Sequence, residues 1–332
     1  MSFYRDADDQ VRAVHLTHQN ITAGVTAIRA LLPLNVPLSA LDTIISAHSL
    51  STAFGRTIAY TALYDGTSFA TLESSKILKL DTGTIFDDFI LRFALTLDFA
   101  VDLKDPLTDL KSTQLLGIPP ATVYFMRPTH MEAVVNAIVS SAKKSLIFPF
   151  AWRHKVAGIL EGYVTKESLW DRLVFDDARS SVLGEAAPST RAVVVSDGTV
   201  PAKLLTPARV AFSVPLVIAH THPLVSAPIL ASHPYDMQTF AITSDQERAH
   251  VGPPTVNIEV KLVGVDDGPV ERGEDPAGVL HVRGPIVGRL LTLSDSLVEE
   301  GAAKDDEPWA STGDQARVQT NGVFKAWRRV KA

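Results

Sequence analysis

The feature that constrains the fold most is a pair of short apolar runs separated by a helical stretch. Ala192-Val193-Val194-Val195 and Pro215-Leu216-Val217-Ile218 each have the length of a buried strand, and residues 201–212 between them indicate a helix. Strands and helices that alternate at this spacing favour a parallel sheet with crossover helices. The chain is therefore predicted to be an α/β protein.

The same alternation occurs earlier in the chain. Residues 122–126 predict a strand, and the helix after them begins with a capping-box pattern formed by Thr129 and Glu132. A further helix is predicted from Thr17 to Pro33, because apolar residues recur there every three to four positions. These residues are Ile21, Val25, Ile28 and Leu32.

The pattern changes after about residue 250. Residues 256–263 and 279–283 alternate between apolar and polar side chains, and Asn321-Gly322 is typical of a tight hairpin turn. We expect a smaller antiparallel β subdomain there, which divides the chain into residues 1–250 and 251–332. The polar segments 176–190 and 265–278 are predicted to be loops.

Charge and composition exclude several classes of function. The 332 residues include 31 Lys and Arg against 37 Asp and Glu, a net charge of −6, and no cysteine. An acidic chain has no general attraction to phosphate backbones, so nucleic acid is not an expected partner. Without cysteine there is no disulfide, thiol nucleophile or thiolate metal site. No apolar run reaches the ~20 residues of a membrane span and no targeting segment is recognised, so we expect a soluble, cytoplasmic protein.

Several phrases carry a family resemblance when they are taken in order along the chain. They are residues 14–20, residues 170–175 with Arg179 and Gly184, Val251-Gly252-Pro253-Pro254, residues 259–263, Val282-Arg283-Gly284-Pro285 and Ser311-Thr312-Gly313-Asp314. Together they resemble the large N-terminal domain of adenylate-forming enzymes, and more narrowly the long-chain acyl-CoA synthetases. The resemblance runs from about residue 10 to residue 331 and covers only part of a complete ligase.

This resemblance implies a reaction that uses ATP. In the family a carboxylate attacks the α-phosphate of ATP, which gives an acyl-adenylate and pyrophosphate, and a thiol then takes the acyl group. The chemistry requires positive charge and backbone donors around the phosphates, a carboxylate for Mg²⁺, and a lysine from a mobile C-terminal domain. ATP or AMP and Mg²⁺ are therefore cofactors by resemblance only, and an acyl chain or an adenine nucleotide is the implied ligand.

Two motifs depart from the family pattern. The phosphate loop should be rich in Gly, Ser and Thr, but here Asp6, Asp8 and Asp9 stand in it and only Arg12 offers positive charge. A Tyr-Gly-x-Thr-Glu motif should follow residues 215–218, but residues 219–224 are Ala-His-Thr-His-Pro-Leu. The phrase 327–331 resembles the family hinge, after which we expect no lysine-bearing domain in this chain.

Five residues match or neighbour family positions at the nucleotide. Asp314, with Thr312 beside it, matches the aspartate that binds the ribose hydroxyls, and Arg329 matches the arginine next to the hinge. Gly198 lies in the altered adenine-site turn Ser196-Asp197-Gly198-Thr199, and Arg12 is the remaining phosphate ligand. Asp314 can instead cap its own loop, and Arg12 can be a solvated surface residue. No catalytic residue and no metal ligand is predicted.

Other kinds of site fit the sequence less well. His220 and His222 share one face of a strand end and, with His233 and Asp236, could form a metal site, but such pairs are more often packing residues. No Gly-x-Ser-x-Gly elbow supports a serine hydrolase, and no Gly-x-Gly-x-x-Gly opens a helix for a dinucleotide.

Two functions remain open. In the first, the chain is a catalytically degenerate homologue of the long-chain fatty acid–CoA ligases that serves as a binding or scaffold subunit, with a protein partner or as a homo-oligomer. In the second, it is an active ligase fragment completed by another chain. We favour the first because both motifs depart from the pattern inside the matched region. Binding of ATP·Mg²⁺ would separate the two.

Overall fold

The computed structural model describes residues 2–5, 10–33, 35–72, 106–107, 110, 118–238, 240, 247–291 and 309–328. Its main feature is a sheet of six strands in the order β4-β3-β5-β6-β7-β8. The strands are β3 (Thr43–Ser46), β4 (Ser68–Thr71), β5 (Val123–Met126), β6 (Ala192–Val195), β7 (Leu216–His220) and β8 (Leu230–Ala231). All neighbours pair in parallel except β7 and β8, which are antiparallel. The predicted α/β fold class is confirmed.

Crossover helices cover this sheet, as the strand spacing predicts. They are α1 (His18–Arg29), α2 (Ala53–Asp65), α3 (Pro128–Ala142), α4 (Phe148–Leu160), α5 (Asp176–Leu183), α6 (Ala186–Ser189) and α7 (Ala202–Phe212). Their apolar faces and the strands enclose one hydrophobic core, in which Ile28, Phe125 and Val193 are fully buried. None of the described helices is long and apolar enough to cross a membrane.

The starts of helices α1 and α3 differ in their capping. The hydroxyl of Thr17 accepts the Asn20 N–H at 3.2 Å, and the Asn20 side chain accepts the Thr17 N–H, so α1 begins with a capping box. The capping box predicted at Thr129 and Glu132 is wrong. Helix α3 already begins at Pro128, and its N-cap Arg127 makes no side-chain cap bond. Proline suits this first position because its fixed φ is helical and it lacks an N–H to satisfy.

The loop predicted for residues 176–190 is also wrong, because this segment is helical. A five-residue π-helix, Asp171–Phe175, continues into α5, and α6 follows. One charged residue of the segment, Arg179, is buried and has its partner inside the protein. Asp171 is fully buried and accepts hydrogen bonds from Lys155 and from Arg179, at 2.8 and 2.7 Å. The segment 265–278 likewise contains a short helix, α8 (Asp267–Glu271), capped by the Asp266 side chain.

An antiparallel sheet follows residue 250, as predicted. Its order is β13-β12-β10-β9, with β9 (Glu259–Val263), β10 (Ala277–Arg283), β12 (Ala310–Val318) and β13 (Phe324–Trp327). The hairpin at Asn321-Gly322 is confirmed, and Gly322 has a φ of +79° that favours glycine. Strand β12 carries a bulge in which residues 312–314 stand opposite the single residue Leu280.

A third sheet joins the start of the chain to the region after residue 250. Strand β1 (Ser2–Arg5) pairs with β2 (Val11–His15), and β2 pairs with β11 (Arg289–Leu291), all antiparallel. The side chain of Asn20 strengthens this connection by donating to the carbonyls of Pro285 and Val287, at 2.8 and 2.9 Å. Helix α1 and the end of β2 are thereby fixed against the segment that leads into β11.

Candidate functional site

Residues one or two positions after four parallel strands converge at one edge of the large sheet. His48 follows β3, Arg127 follows β5, Asp197 follows β6, and His222 follows β7. Ligands of open α/β sheets bind outside the carboxyl ends of the strands, so this edge is the expected position of a site. The convergence of two imidazoles, a guanidinium and a carboxylate makes it the candidate functional site.

A narrow cleft lies between these residues. It is lined by His48, Thr52, Phe54, Arg127, Asp197, Thr221, His222, Pro223 and Arg328. The space open to the centres of water molecules is about 40 Å³. A bound water requires roughly 10–15 Å³ by this measure, so the cleft has room for about three waters. A nucleotide does not fit unless the lining side chains move.

Charge pairing connects residues across the cleft. The Asp197 carboxylate lies 3.3 Å from Nε of Arg127 and 3.4 Å from an amino nitrogen of Arg328. Asp197 itself has a φ of +63°, in the left-handed region that Asp and Asn tolerate best among residues with a Cβ. Its backbone therefore turns directly after β6 and places the carboxylate between two cations that approach from different elements.

His48 forms the floor of the cleft. Its Nε2 atom lies 3.0 Å from the hydroxyl of Ser196, and its ring meets the edge of Phe54 at a centroid distance of 4.9 Å. Burial lowers the pKa of His48 to about 3, although the nearby carboxylate of Asp197 acts in the opposite direction. His48 is thus a neutral polar residue at physiological pH. Ser196 is fully buried, so the pair is not presented to a substrate as a nucleophile and base.

A second histidine contact holds the Asp314 side chain in place. Nε2 of His220, at the end of β7, lies 2.9 Å from a carboxylate oxygen of Asp314, and both residues are buried. The Asp314 N–H donates to the hydroxyl of Thr312, which in turn donates to the carbonyl of Leu280. The two polar residues predicted from the Ser-Thr-Gly-Asp phrase are therefore hydrogen-bonded within the protein, where Asp314 faces the end of β7.

His222 completes the edge of the cleft. Its Nδ1 accepts the N–H of Leu224 at 3.1 Å, and the Tyr4 ring meets it edge-on at 5.2 Å. Burial lowers the pKa of His222 to about 4, against the attraction of Asp314. His233 contacts Tyr235 and lies away from this pair. The described part of the chain holds no group of three or more His, Asp or Glu side chains that could bind a metal ion.

The other predicted residues lie around the same edge or outside the described ranges. Gly198 follows Asp197, and a Cβ on it would come within 3.0 Å of the Pro128 ring. Arg12 stands opposite Tyr4 in the β1–β2 pair, on the face that turns toward His222. Arg329 and the aspartates at positions 6, 8 and 9 are outside the residues that the structure describes.

The sequence analysis missed His48, Arg127 and Arg328. The first two had a usable signal, since each follows a predictable strand of the sheet. Arg328 had no such signal, because its proximity to Asp197 depends on how β13 packs against the turn after β6.

The sequence relatives of the chain belong to the same class of enzymes as the motifs indicate. The chain is 27% identical over 236 residues to long-chain-fatty-acid–CoA ligase 1 of Homo sapiens, which covers 70% of this chain and 31% of that protein. It is 24% identical over 231 residues to ligase 6 of Rattus norvegicus, with 67% and 30% covered. The chain thus spans about a third of the length of the curated relatives it matches. No family profile matches it.

Solved structures show the fold. O-succinylbenzoate coenzyme A synthetase from Bacillus subtilis, in complex with AMP, matches with a TM-score of 0.54 and 13% identity, over 99% of this chain and 48% of that one. A malonyl-CoA ligase with methylmalonyl-CoA and AMP bound matches with a TM-score of 0.56 and 13% identity, over 99% and 52%. In sequence the chain is similar to the long-chain-fatty-acid–CoA ligases, and in fold it is similar to part of the adenylate-forming, AMP-binding enzymes. The resemblance inferred from the motifs is confirmed.

Within this fold, three of the residues predicted to touch nucleotide contact or neighbour other polar groups of the described chain. Asp314 and Thr312 are engaged with His220 and Leu280, and Gly198 lies in the turn that presents Asp197 to two arginines. The polar groups at this edge are therefore held mainly by one another.

Proposed function

We propose that the chain is a non-adenylating relative of the long-chain acyl-CoA ligases that acts as a binding or scaffold subunit. The observation that supports this most directly is the small size of the cleft at the carboxyl ends of the parallel strands. About 40 Å³ of space remains there, against the several hundred Å³ of an ordinary small-molecule site.

The electrostatics of the cleft support the same proposal. Arg127 and Arg328 are the cations that an incoming phosphate would meet, but Asp197 already lies within 3.4 Å of both. A phosphate must displace this carboxylate or bind next to it, and like charges at such distances repel strongly. Catalysis by charge stabilisation requires donors that are preorganised toward the reacting group, but here Arg328 donates to Asp197 and Arg127 lies 3.3 Å from the same carboxylate.

Magnesium fits the lining poorly. Mg²⁺ takes oxygen ligands, usually one or two carboxylates together with substrate phosphates. Asp197 is the carboxylate that lines the cleft, and both of its neighbours there are cations. We therefore assign no magnesium-dependent step to this chain, although a solved neighbour is described in complex with ATP and magnesium ion.

Residual nucleotide binding would depend on Asp314, which we propose as the ribose contact. Each hydrogen bond from a ribose hydroxyl to its carboxylate is worth roughly 1.5–3 kcal/mol. In the structure, His220 occupies one of the hydrogen-bonding positions of this carboxylate. If the site opens, adenosine or AMP should bind at least as well as ATP, because the triphosphate adds charge that Asp197 opposes. Calorimetric titration of adenosine, AMP and ATP tests this order, and ATP binding tighter than adenosine would contradict it.

The decisive experiment measures pyrophosphate release from ATP, Mg²⁺, CoA and palmitate with purified protein. We expect no release that depends on the fatty acid. Fatty-acid-dependent release, in a preparation shown to be free of host ligases, would overturn the proposal. Protein with both arginines neutralised, Arg127→Gln and Arg328→Gln, is the matched blank that identifies contaminating activity.

The alternative is a ligase fragment completed by another chain, and the extent of the alignment favours it. The structural match covers nearly all of this chain but only about half of each solved neighbour. A fragment of a working enzyme should bind ATP·Mg²⁺ alone and gain activity when its complement is added. A chain that neither binds ATP·Mg²⁺ nor gains activity with its complement would contradict this alternative.

A further inference from the structure

A broad groove runs along the solvent side of the α1–α2 pair, on a surface separate from the cleft. It has a volume of about 720 Å³ and is lined by His18, Ile21, Thr22, Val25, Thr26, Arg29, Tyr60, Leu63 and Tyr64. The floor of the groove comes from apolar residues of α1. Its far wall comes from the exposed face of α2.

That wall is a ridge of large apolar side chains, Tyr60, Leu63 and Tyr64. Their exposed fractions are 47%, 75% and 70%. Residues three and four positions apart lie on one face of a helix, so the three form one continuous patch rather than scattered exposures. Apolar patches of this kind on a folded chain mark surfaces that another molecule covers.

Three polar side chains of the groove, Thr22, Thr26 and Arg29, are hydrogen-bonded within the protein. The hydroxyl of Thr22 donates to the carbonyls of His18 and Gln19, and that of Thr26 donates to the carbonyl of Thr22. Arg29 donates to Asp65 at 3.0 Å, and its guanidinium lies over the Tyr64 ring at 4.9 Å. An occupant therefore meets apolar surface and a neutralised cation, which favours an apolar protein surface over a charged ligand.

We propose that this groove is the interface of a two-fold homodimer, in which the ridge of each copy packs into the groove of the other. A two-fold interface requires that one patch be complementary to itself. Here the protruding ridge and the recessed floor formed by Ile21 and Val25 lie side by side on the same pair of helices. A rotation by 180° about an axis between them brings each ridge over the facing floor.

The available area agrees with this occupant. Given their exposed fractions, the three ridge side chains remove roughly 300–400 Å² per copy when covered, since an aromatic side chain buries about 150–250 Å² in full. A stable interface needs about 800 Å² per partner, so the ridge supplies nearly half, and the remainder has to come from the surfaces that flank the groove. The inference is independent of the proposed function, because no groove residue lines the cleft.

Light scattering coupled to gel filtration of the full chain, over about 1–100 μM, tests the interface. We expect a dimer at the upper end of this range. Leu63→Glu should weaken dimerisation at least about tenfold, because it places a charge at the centre of the patch. Leu146→Glu is the matched control, since Leu146 is 96% exposed and lies between α3 and α4, away from the groove. Circular dichroism checks that both variants are folded.

A second measurement locates the contact. Because the chain contains no cysteine, a single Leu63→Cys substitution can be cross-linked with a short thiol-reactive bifunctional reagent, with Leu146→Cys as the control. Cross-linked dimer with Cys at position 63 and not at position 146 supports the proposal. A monomer throughout the concentration range, or a dimer that Leu63→Glu leaves unchanged, overturns it, and so does a chain that binds only an unrelated protein through this groove.

Discussion

The imidazole of His220 lies 2.9 Å from the carboxylate of Asp314 and joins the end of a parallel strand to the antiparallel sheet. Both side chains are buried, so water does not compete for this contact. The pair sits 94 residues apart in sequence and links two parts of the chain that the sequence assigns to separate units. Its strength should therefore be measurable in the stability of the whole protein.

Replacing His220 with alanine should lower the free energy of unfolding by about 1–3 kcal/mol, because it leaves the Asp314 carboxylate buried without this partner. Urea denaturation followed by circular dichroism measures the change. His15→Ala, at an exposed position of β2, is the control and should change stability little. Equal losses in the two variants would show that the His220–Asp314 contact contributes nothing specific.

The buried carboxylate of Asp171 should matter more. Burial raises the pKa of Asp171, but hydrogen bonds from Lys155 and Ser168 and the charge of Arg179 outweigh it, so its pKa is lowered overall. Asp171→Asn keeps the shape but leaves two buried cations without their shared counter-charge, which should cost about 3–5 kcal/mol. Thermal and urea unfolding test this value. The exposed Asp177→Asn on the same helical segment is the control, and a comparable loss there would contradict the prediction.

These two clusters show what the sequence could and could not predict. The strand–helix alternation around residues 122–142 and 192–220 was predictable, because periodicity reports which face of an element is buried. The burial of Asp171 and Arg179 was not, because a charged segment has the same composition whether its partners are water or other side chains. Residues 176–190 therefore looked like a loop although they form helices.

The candidate site was only partly predictable for a related reason. The motif residue Asp314 was recognised, but the sequence did not contain its pairing with His220, which depends on how two sheets pack. His48 and Asp197 are 149 positions apart and meet only because β3, β5, β6 and β7 are neighbours in that order. Sheet order is a property of the whole chain and has no local signature.

Stability should depend on pH through His48 and His222. In the folded state burial lowers their pKa values to about 3 and about 4, below the ~6.5 of an unfolded chain. Between those values the unfolded state binds more protons, so the free energy of unfolding falls as the pH drops from about 6.5 toward 4. Each histidine contributes up to about 1.4 kcal/mol per pH unit in this window.

Urea midpoints measured from pH 7 to pH 4.5 test this dependence. His48→Gln and His222→Gln should each remove part of the slope, whereas the exposed His154→Gln should retain all of it. Burial also lowers the pKa of His250, so a remaining slope is expected in every variant. A slope identical in the wild type and in both buried-histidine variants would refute the assignment.

The pairing of Asp197 with two arginines makes a prediction about anions. Asp197→Asn removes the charge that occupies Arg127 and Arg328, so the affinity for pyrophosphate should rise at least about tenfold, equivalent to ~1.4 kcal/mol. Isothermal titration calorimetry with pyrophosphate measures the change. Asp177→Asn alters the net charge equally but lies elsewhere, and it should leave affinity unchanged. A similar gain in both variants would indicate a general charge effect.

Because of the bulge in β12, the structure should depend on the number of residues in this strand as well as on their side chains. Three residues, 312–314, stand opposite Leu280 where regular pairing would place one. Gly313 takes a φ of +75° within it, a conformation that disfavours most replacements. Deleting Thr312 and Gly313 would restore an even ladder with the flanking register unchanged, but it would remove the irregular backbone on which Asp314 reaches His220. An insertion or deletion in this strand can therefore disconnect the two sheets while every residue of the His220–Asp314 contact is still encoded.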